Sequence, residues 1–192
     1  PALILNGSII VWSILTGPIF GVAAYGFMRV AARQRGTSLH DEKMILACIL
    51  NFTCIGVLAI FFPVLLGNGK SPIQMEFTNN IGISLSAALL VLRCLITWSS
   101  LRVGAQGGLL TPSLANGALL AAILGGLWNM LWPATAPFEG FIAIGATAFL
   151  AAAQKMPLTA IILIFEFTHI HFDFLVPIML AVTGALIFNN LC

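Results

Sequence analysis

An all-α polytopic membrane protein of broken and tilted helices is the fold class this sequence predicts, on three observations. Only 7% of the 192 residues are charged and 60% are hydrophobic, whereas a soluble domain carries about 25% charged residues. Charge-free stretches recur at lengths able to cross a hydrocarbon core of about 30 Å. Other apolar stretches are too short to cross it and are interrupted by Gly and Pro. Such breaks at membrane depth are tolerated only where protein or a watery cavity surrounds them.

The first stretch, 1–28, carries no charge and is predicted to span with some tilt. It lacks the basic leader of a secretory signal and exceeds a signal's short apolar core. Gly17-Pro18 and Gly21 give it a small-residue face for close helix packing and a point to kink. Arg29, Arg33, Arg35, His40, Asp41, Glu42 and Lys43 form a polar connection, which the positive-inside rule assigns to the cytoplasm. Ser38 with Asp41 and Glu42 reads as a helix start, and 44–66 as the second span. Gly67 to Pro72 reads as a turn; a phosphate-binding loop needs glycine at position 64, where Val64 stands.

Beyond residue 80 the pattern shortens. The stretch 81–92 is apolar but brief, and Arg93 and Arg102 flank 94–101. Residues 103–138 are uncharged but broken at Gly107-Gly108, Thr111-Pro112 and Trp132-Pro133, and 140–153, 156–165 and 174–188 are short again. A 14-residue helix covers about 21 Å, less than the core. Broken helices of this kind mark transporters and channels with a binding site at mid-membrane. The chain opens on Pro1 and closes on an apolar run at Cys192, so 1–192 reads as a single transmembrane region of a longer polypeptide.

Several function classes are excluded or disfavoured. The net charge of +2 rests on scattered basic residues, without the footprint a nucleic-acid interface needs. Cys48, Cys54, Cys94 and Cys192 show no metal or redox spacing, and the first three, inside apolar stretches, read as small packing residues. His169, His171 and Asp173 are ligand types for zinc or copper, but they read as an interfacial loop, and no metal or cofactor is expected. Glu166, an acid in an apolar helix, is a functional candidate by default; its alternative reading is a hydrogen bond at a helix end, with Thr168, or a subunit contact. Trp12, Trp98, Trp128 and Trp132 read as interfacial anchors, and Lys155 as a membrane boundary. Intramembrane hydrolysis needs paired Asp, Ser/His or a zinc motif within the apolar helices, and none is placed there, so no enzyme is expected.

The stretch from Val103 to Ala118 carries the chemistry. Gly104, Gly107 and Gly108 allow unusual backbone angles and close approach of a ligand. Thr111 is a good N-cap and Pro112 a good first helical residue. The first amides of such a helix lack intrahelical partners and face outward with the positive end of its dipole. No Lys or Arg follows Arg102 within this segment. A bare amide cluster holds an anion without the deep trap of a full positive charge, as conduction requires. Tight helix packing is the competing explanation of the glycines. A cation transporter is disfavoured because 103–138 contains no acid.

Gly104-Ala-Gln-Gly-Gly-Leu-Leu-Thr-Pro112 resembles the motif written GxFxP in the CLC chloride channels and chloride/proton exchangers, in its G-x-x-G-G-x-F-x-P context. Gly145-Ala-Thr-Ala-Phe-Leu-Ala-Ala-Ala-Gln-Lys-Met-Pro-Leu-Thr159 is similar to the family's glycine/alanine helix followed by a Pro-Leu-Thr helix start. Phe165-Glu166-Phe167-Thr168 resembles its hydrophobic-Glu-x-Thr segment, and 65–69 a family loop. The matches fall in order from about residue 65 to 188.

The resemblance implies two inverted repeats per subunit, a homodimer with a separate anion path in each subunit, and a chain supplying most of the second repeat. It implies that the backbone amides of Leu109 and Leu110 contact the central chloride, within a motif completed by Gly108, Thr111 and Pro112. Leu110 replaces the family's Phe, so a ring lining the pathway is lost. The helices at 161–164 and 174–188 correspond to the family's dimer interface. The family's gating and proton-accepting glutamates belong to the first half, and its pore-closing tyrosine to a later helix. Tyr25, the only tyrosine here, precedes the motif. The expected partners are chloride, membrane lipid and a second copy, in the plasma (inner) membrane, with a voltage-gated-type channel and an exchanger both open. Another broken-helix secondary transporter and a truncated, non-functional fragment are the alternatives.

Overall fold

The structure, a computed structural model, describes residues 7–35, 41–61, 83–105, 107–132 and 138–191. Every regular element among them is helical: α1 (Gly7–Arg35), α2 (Asp41–Phe61), α3 (Ile83–Arg102), α4 (Leu110–Leu131), α5 (Phe138–Gln154), α6 (Pro157–Thr168) and α7 (Leu175–Leu191), the last preceded by a 3₁₀ turn, Phe172–Phe174. Five segments are long and apolar enough to cross a membrane: Gly7–Gln34, Met44–Phe61, Ile83–Arg102, Leu110–Leu131 and Phe172–Leu191. The chain is an integral membrane protein of the predicted class. The 12-residue α6, about 18 Å long, is too short to cross, and α5 is the other short apolar helix.

Two stretches expected to be short belong to longer helical segments. The described part of the first stretch, 83–92, and 94–101 belong to one helix, α3, with Arg93 in its middle. A charge interrupts a hydropathy run but not a backbone, and Arg is a good helix former. The last apolar stretch likewise gains length from its 3₁₀ turn and spans. The turn at 67–72, the family-like loop at 65–69 and the proposed helix start at Ser38 lie outside the described residues.

Helix α5 is the centre of the core. Gly140 to Ala153 are all buried, with α1, α4, α6 and α7 packed around them. Small residues make this possible, because lipid gives apolar helices little reason to associate beyond close packing. A Cβ on Gly17 of α1 would lie 2.9 Å from the Ala181 carbonyl oxygen of α7, and one on Gly21 would collide with Ala185. Buried hydroxyls are satisfied within their own helices: Ser13 donates to the Ile9 carbonyl (2.7 Å) and Thr147 to that of Ala143 (2.7 Å). Asn189 Nδ2 donates to the Ala152 carbonyl at 2.7 Å, tying the end of α7 to the end of α5.

Trp12 is not an interfacial anchor. It is buried, with its ring 4.7 Å from that of Phe141 and 6.1 Å from Phe20, both edge-on. An indole carries more apolar area than any other side chain, and the centre of a bundle takes it as readily as an interface does. Trp98 is half-buried beside Phe27. Trp128 stacks on the exposed Trp132 at 5.4 Å and donates to Ser8 Oγ at 2.9 Å.

Helix α2 stands apart. Ile45, Leu46, Ile49, Leu50, Phe52 and Ile60 are all exposed on it. Within the described residues its one substantial helix neighbour is α3.

Candidate functional site

The turn between α3 and α4 is built by hydrogen bonds that end one helix and leave the next uncapped. Val103, Gly104 and Ala105 donate their amides to the carbonyls of Ser99 (3.1 Å), Leu101 (3.2 Å) and Ser100 (3.0 Å). Gly104 adopts φ +86, the left-handed conformation that ends helices and favours glycine. Gly107 and Gly108 do not share it; no other described glycine has positive φ. A Cβ on either would meet nothing within 4 Å. Their lack of a side chain leaves the backbone open to approach rather than permitting a strained turn.

Helix α4 begins at Leu110, with Leu109 at the N-cap (φ −92, ψ 6) and no side-chain cap. Thr111 is therefore not the cap, and Thr111 and Pro112 lie inside the first turn. The reason is the bond from the Ser113 amide to the Leu109 carbonyl (3.0 Å), which closes the first turn two residues earlier than expected. Pro112 then occupies a position where an N–H would have no helical acceptor. The amides of Leu110 and Thr111 precede the first helical bond and have no carbonyl within α4 to donate to. Ser113 Oγ also donates to the Leu109 carbonyl (2.6 Å) and accepts from Gln154 Nε2 (3.4 Å). The end of α5 thus braces the start of α4.

This uncapped start borders a cleft of about 270 Å³. Gly107, Gly108, Leu109 and Pro112 line it together with Arg93, Thr97 and Ser100 of α3. Of the expected site residues, Gly108, Leu109 and Pro112 reach the cleft wall; Leu110 and Thr111 are not among its lining residues. The Leu109 side chain is buried beside Ala31 and Leu101, and that of Leu110 packs against the main core.

The segment after Arg102 carries no cation of its own, but Arg93 of α3 reaches the same cleft. One signal was available: 93, 97 and 100 share a helix face, so a cation and two hydroxyls line up. Arg93 is 9% exposed, and its buried Nη1 has no hydrogen-bond partner.

Helix α2 holds the turn from the other side. Cys48 Sγ donates to the Val103 carbonyl (3.0 Å), and Asn51 Nδ2 donates to Ser100 Oγ (3.3 Å). A Cβ on Gly104 would lie 3.1 Å from the Met44 sulfur. Cys48 is thus more than a small packing residue. Replacing it with Val is expected to lower thermal stability, because the turn loses one of its ties, whereas Ser restores a donor. Equal unfolding temperatures for Cys48→Val and Cys48→Ser would show that this tie does not hold the turn.

The other candidates stay apart from the cleft. Glu166 is exposed and lines a separate depression with Phe165, His169 and Phe172. Thr168 Oγ1 donates to the Ile164 carbonyl (2.7 Å), so the described structure shows Thr168 bonded back along its own helix rather than to Glu166. His169 closes α6 at φ 49. Among the described residues, no three His, Cys, Asp or Glu side chains group closely enough to hold a metal ion.

Comparison with known proteins places this architecture. The model of the family described as "Voltage gated chloride channel" matches residues 2–190. The H(+)/Cl(-) exchange transporter ClcA of Vibrio vulnificus is 31% identical over 188 residues, covering 93% of this chain and 39% of its own length. ClcA of Vibrio campbellii is 32% identical over 185 residues, with the same coverage. The chain thus spans 39% of the length of these curated relatives. Among solved structures, a slow cyanobacterial Cl-/H+ antiporter superposes with a TM-score of 0.89, at 22% identity, over 100% of this chain and 46% of its own. A eukaryotic CLC transporter superposes at 0.70, with 20% identity, over 95% of this chain and 33% of its own. With a family match across nearly the whole sequence and the same helical architecture, the chain belongs to the voltage-gated chloride channel family.

Proposed function

We propose that residues 1–192 form one transmembrane region of a chloride-transporting subunit, the second half of its transport domain, in the plasma (inner) membrane. The start of α4 holds the passing anion. The Leu109 and Leu110 amides coordinate it, beside a Thr111 amide with no acceptor inside α4, and Gly108 leaves the approach free of side-chain atoms. Pro112 rigidifies the first turn without competing for a carbonyl. Transport of this kind forms no covalent bond, so the chain is not an enzyme and needs no cofactor; chloride is cargo.

One observation carries the reading: an uncapped helix start, with amides lacking helical acceptors, borders a cleft with no acid among its described lining residues. Relatives named H(+)/Cl(-) exchange transporters supply the choice of anion. A second copy is the proposed protein partner, seated with lipid on the exposed apolar residues of α6 and α7, among them Leu158, Ile162, Val176 and Met179.

Chloride efflux from liposomes holding the full-length protein, with pH recorded in parallel, tests the function. Efflux with opposite proton movement identifies an exchanger, and efflux without it a channel. Folded protein without chloride efflux overturns the reading.

A further inference from the structure

The cleft holds a second positive source besides the start of α4. A guanidinium carries five donors and stays charged in proteins. Burying such a group without a partner is costly, and ionisable side chains within membrane segments face protein or a watery cavity. Arg93 meets this description: it is 9% exposed, its Nη1 is buried without a partner, and it lines the cleft. Its neighbours in that lining, Thr97 and Ser100, are neutral hydroxyls. Thr97 Oγ1 donates to the Arg93 carbonyl (2.8 Å) and leaves the guanidinium untouched. Gly107, Gly108 and Leu109, at the positive end of the α4 dipole, line the same cleft. Both sources therefore favour negative charge there.

We propose that Arg93 is an anion-binding residue of this cleft, holding a small monovalent inorganic anion between its guanidinium and the backbone at Gly108 and Leu109. The inference rests on the reading of the α4 start given above and adds a specificity to it. Amide donors around a point suit a spherical halide. A planar guanidinium fork suits a planar oxyanion, which it grips through two parallel hydrogen bonds. Arg93 thus raises the affinity for nitrate relative to chloride, and a lysine in its place keeps the charge but loses the fork.

Chloride and nitrate titrations of the full-length protein in detergent, followed by calorimetry and by the anion dependence of thermal unfolding, provide the test. Arg93→Met is expected to weaken both anions about tenfold or more, the scale of one charge-assisted hydrogen bond. It is also expected to unfold at no lower temperature than the wild type in anion-free buffer, because a buried guanidinium with an unbonded Nη1 has been removed. Arg93→Lys is expected to keep chloride affinity within about threefold while its nitrate-to-chloride preference falls. Wild-type chloride affinity in Arg93→Met overturns the proposal. If Arg93→Met does not fold, an unchanged nitrate-to-chloride ratio in Arg93→Lys overturns it. A wild type that binds neither anion overturns the underlying reading as well, so the two failures are distinguishable.

Discussion

An ester in place of the Leu110 peptide amide is expected to weaken chloride binding about tenfold or more. Side-chain substitution cannot test a site made of backbone donors, and the Leu110 side chain packs into the core instead. The ester removes one N–H and leaves every side chain in place. That N–H precedes the first bond of α4, which runs from Ser113 to Leu109 at 3.0 Å, so no donor bond of the helix is lost. A hydrogen bond to a charged partner contributes about 1.5–3 kcal/mol, or about one to two decades of affinity. The ester also makes the Leu109 carbonyl a poorer acceptor, and that carbonyl receives both the amide and the hydroxyl of Ser113. A second ester at Leu120, inside α4, controls for weakened helix bonding. It should lower stability and leave chloride affinity unchanged. Calorimetric titration of both semisynthetic proteins decides the matter. Equal affinity in the Leu110 ester would mean that the amide does not coordinate the ion.

The sequence makes visible what is local. Charge-free runs locate the spans, Gly107-Gly108 fall in the turn between α3 and α4, Trp132 directly follows the end of α4, and Pro157 is the first residue of α6. The segment with the unpaired amides was legible because glycines and a proline announce an irregular turn. Its details were not, because capping is settled by which bond closes first. Ser113 reaches Leu109 with both amide and hydroxyl, and Thr111 is displaced into the helix. Arg93 was hidden for another reason. Its place in the cleft depends on α3 folding back beside 107–112, a tertiary pairing that residue spacing on α3 does not encode. Trp12 shows the same limit: its burial against Phe141 joins α1 to α5 across more than half the chain.

Gly117→Val is expected to destabilise the protein by about 3 kcal/mol or more, the upper end of what overpacking a close-packed core costs. The size follows from what the new side chain would meet. A Cβ on Gly117 lies 2.6 Å from Phe149 Cβ, 2.8 Å from the Gly145 carbonyl oxygen and 2.9 Å from Ala146 Cα, all on α5. None of these is the loose end of a side chain, so relief requires α4 and α5 to separate. Gly126 offers the contrast: its Cβ would meet only side-chain atoms of Ile83, at 2.9 and 3.1 Å, which can turn aside. Gly26 has nothing within 4 Å, and Gly26→Ala should unfold no earlier than the wild type, since alanine lowers the entropy of the unfolded chain. Thermal unfolding in detergent of Gly117→Val beside Gly26→Ala measures the difference. Identical transitions would show that this contact does not set the spacing of α4 and α5. Function is expected to follow stability here. The Gln154 amide that braces Ser113 at 3.4 Å bridges the same two helices, so moving them apart turns the α4 amides away from the cleft. Chloride affinity should therefore fall even in the fraction of Gly117→Val that folds, because the packing that buries α5 also aims the start of α4.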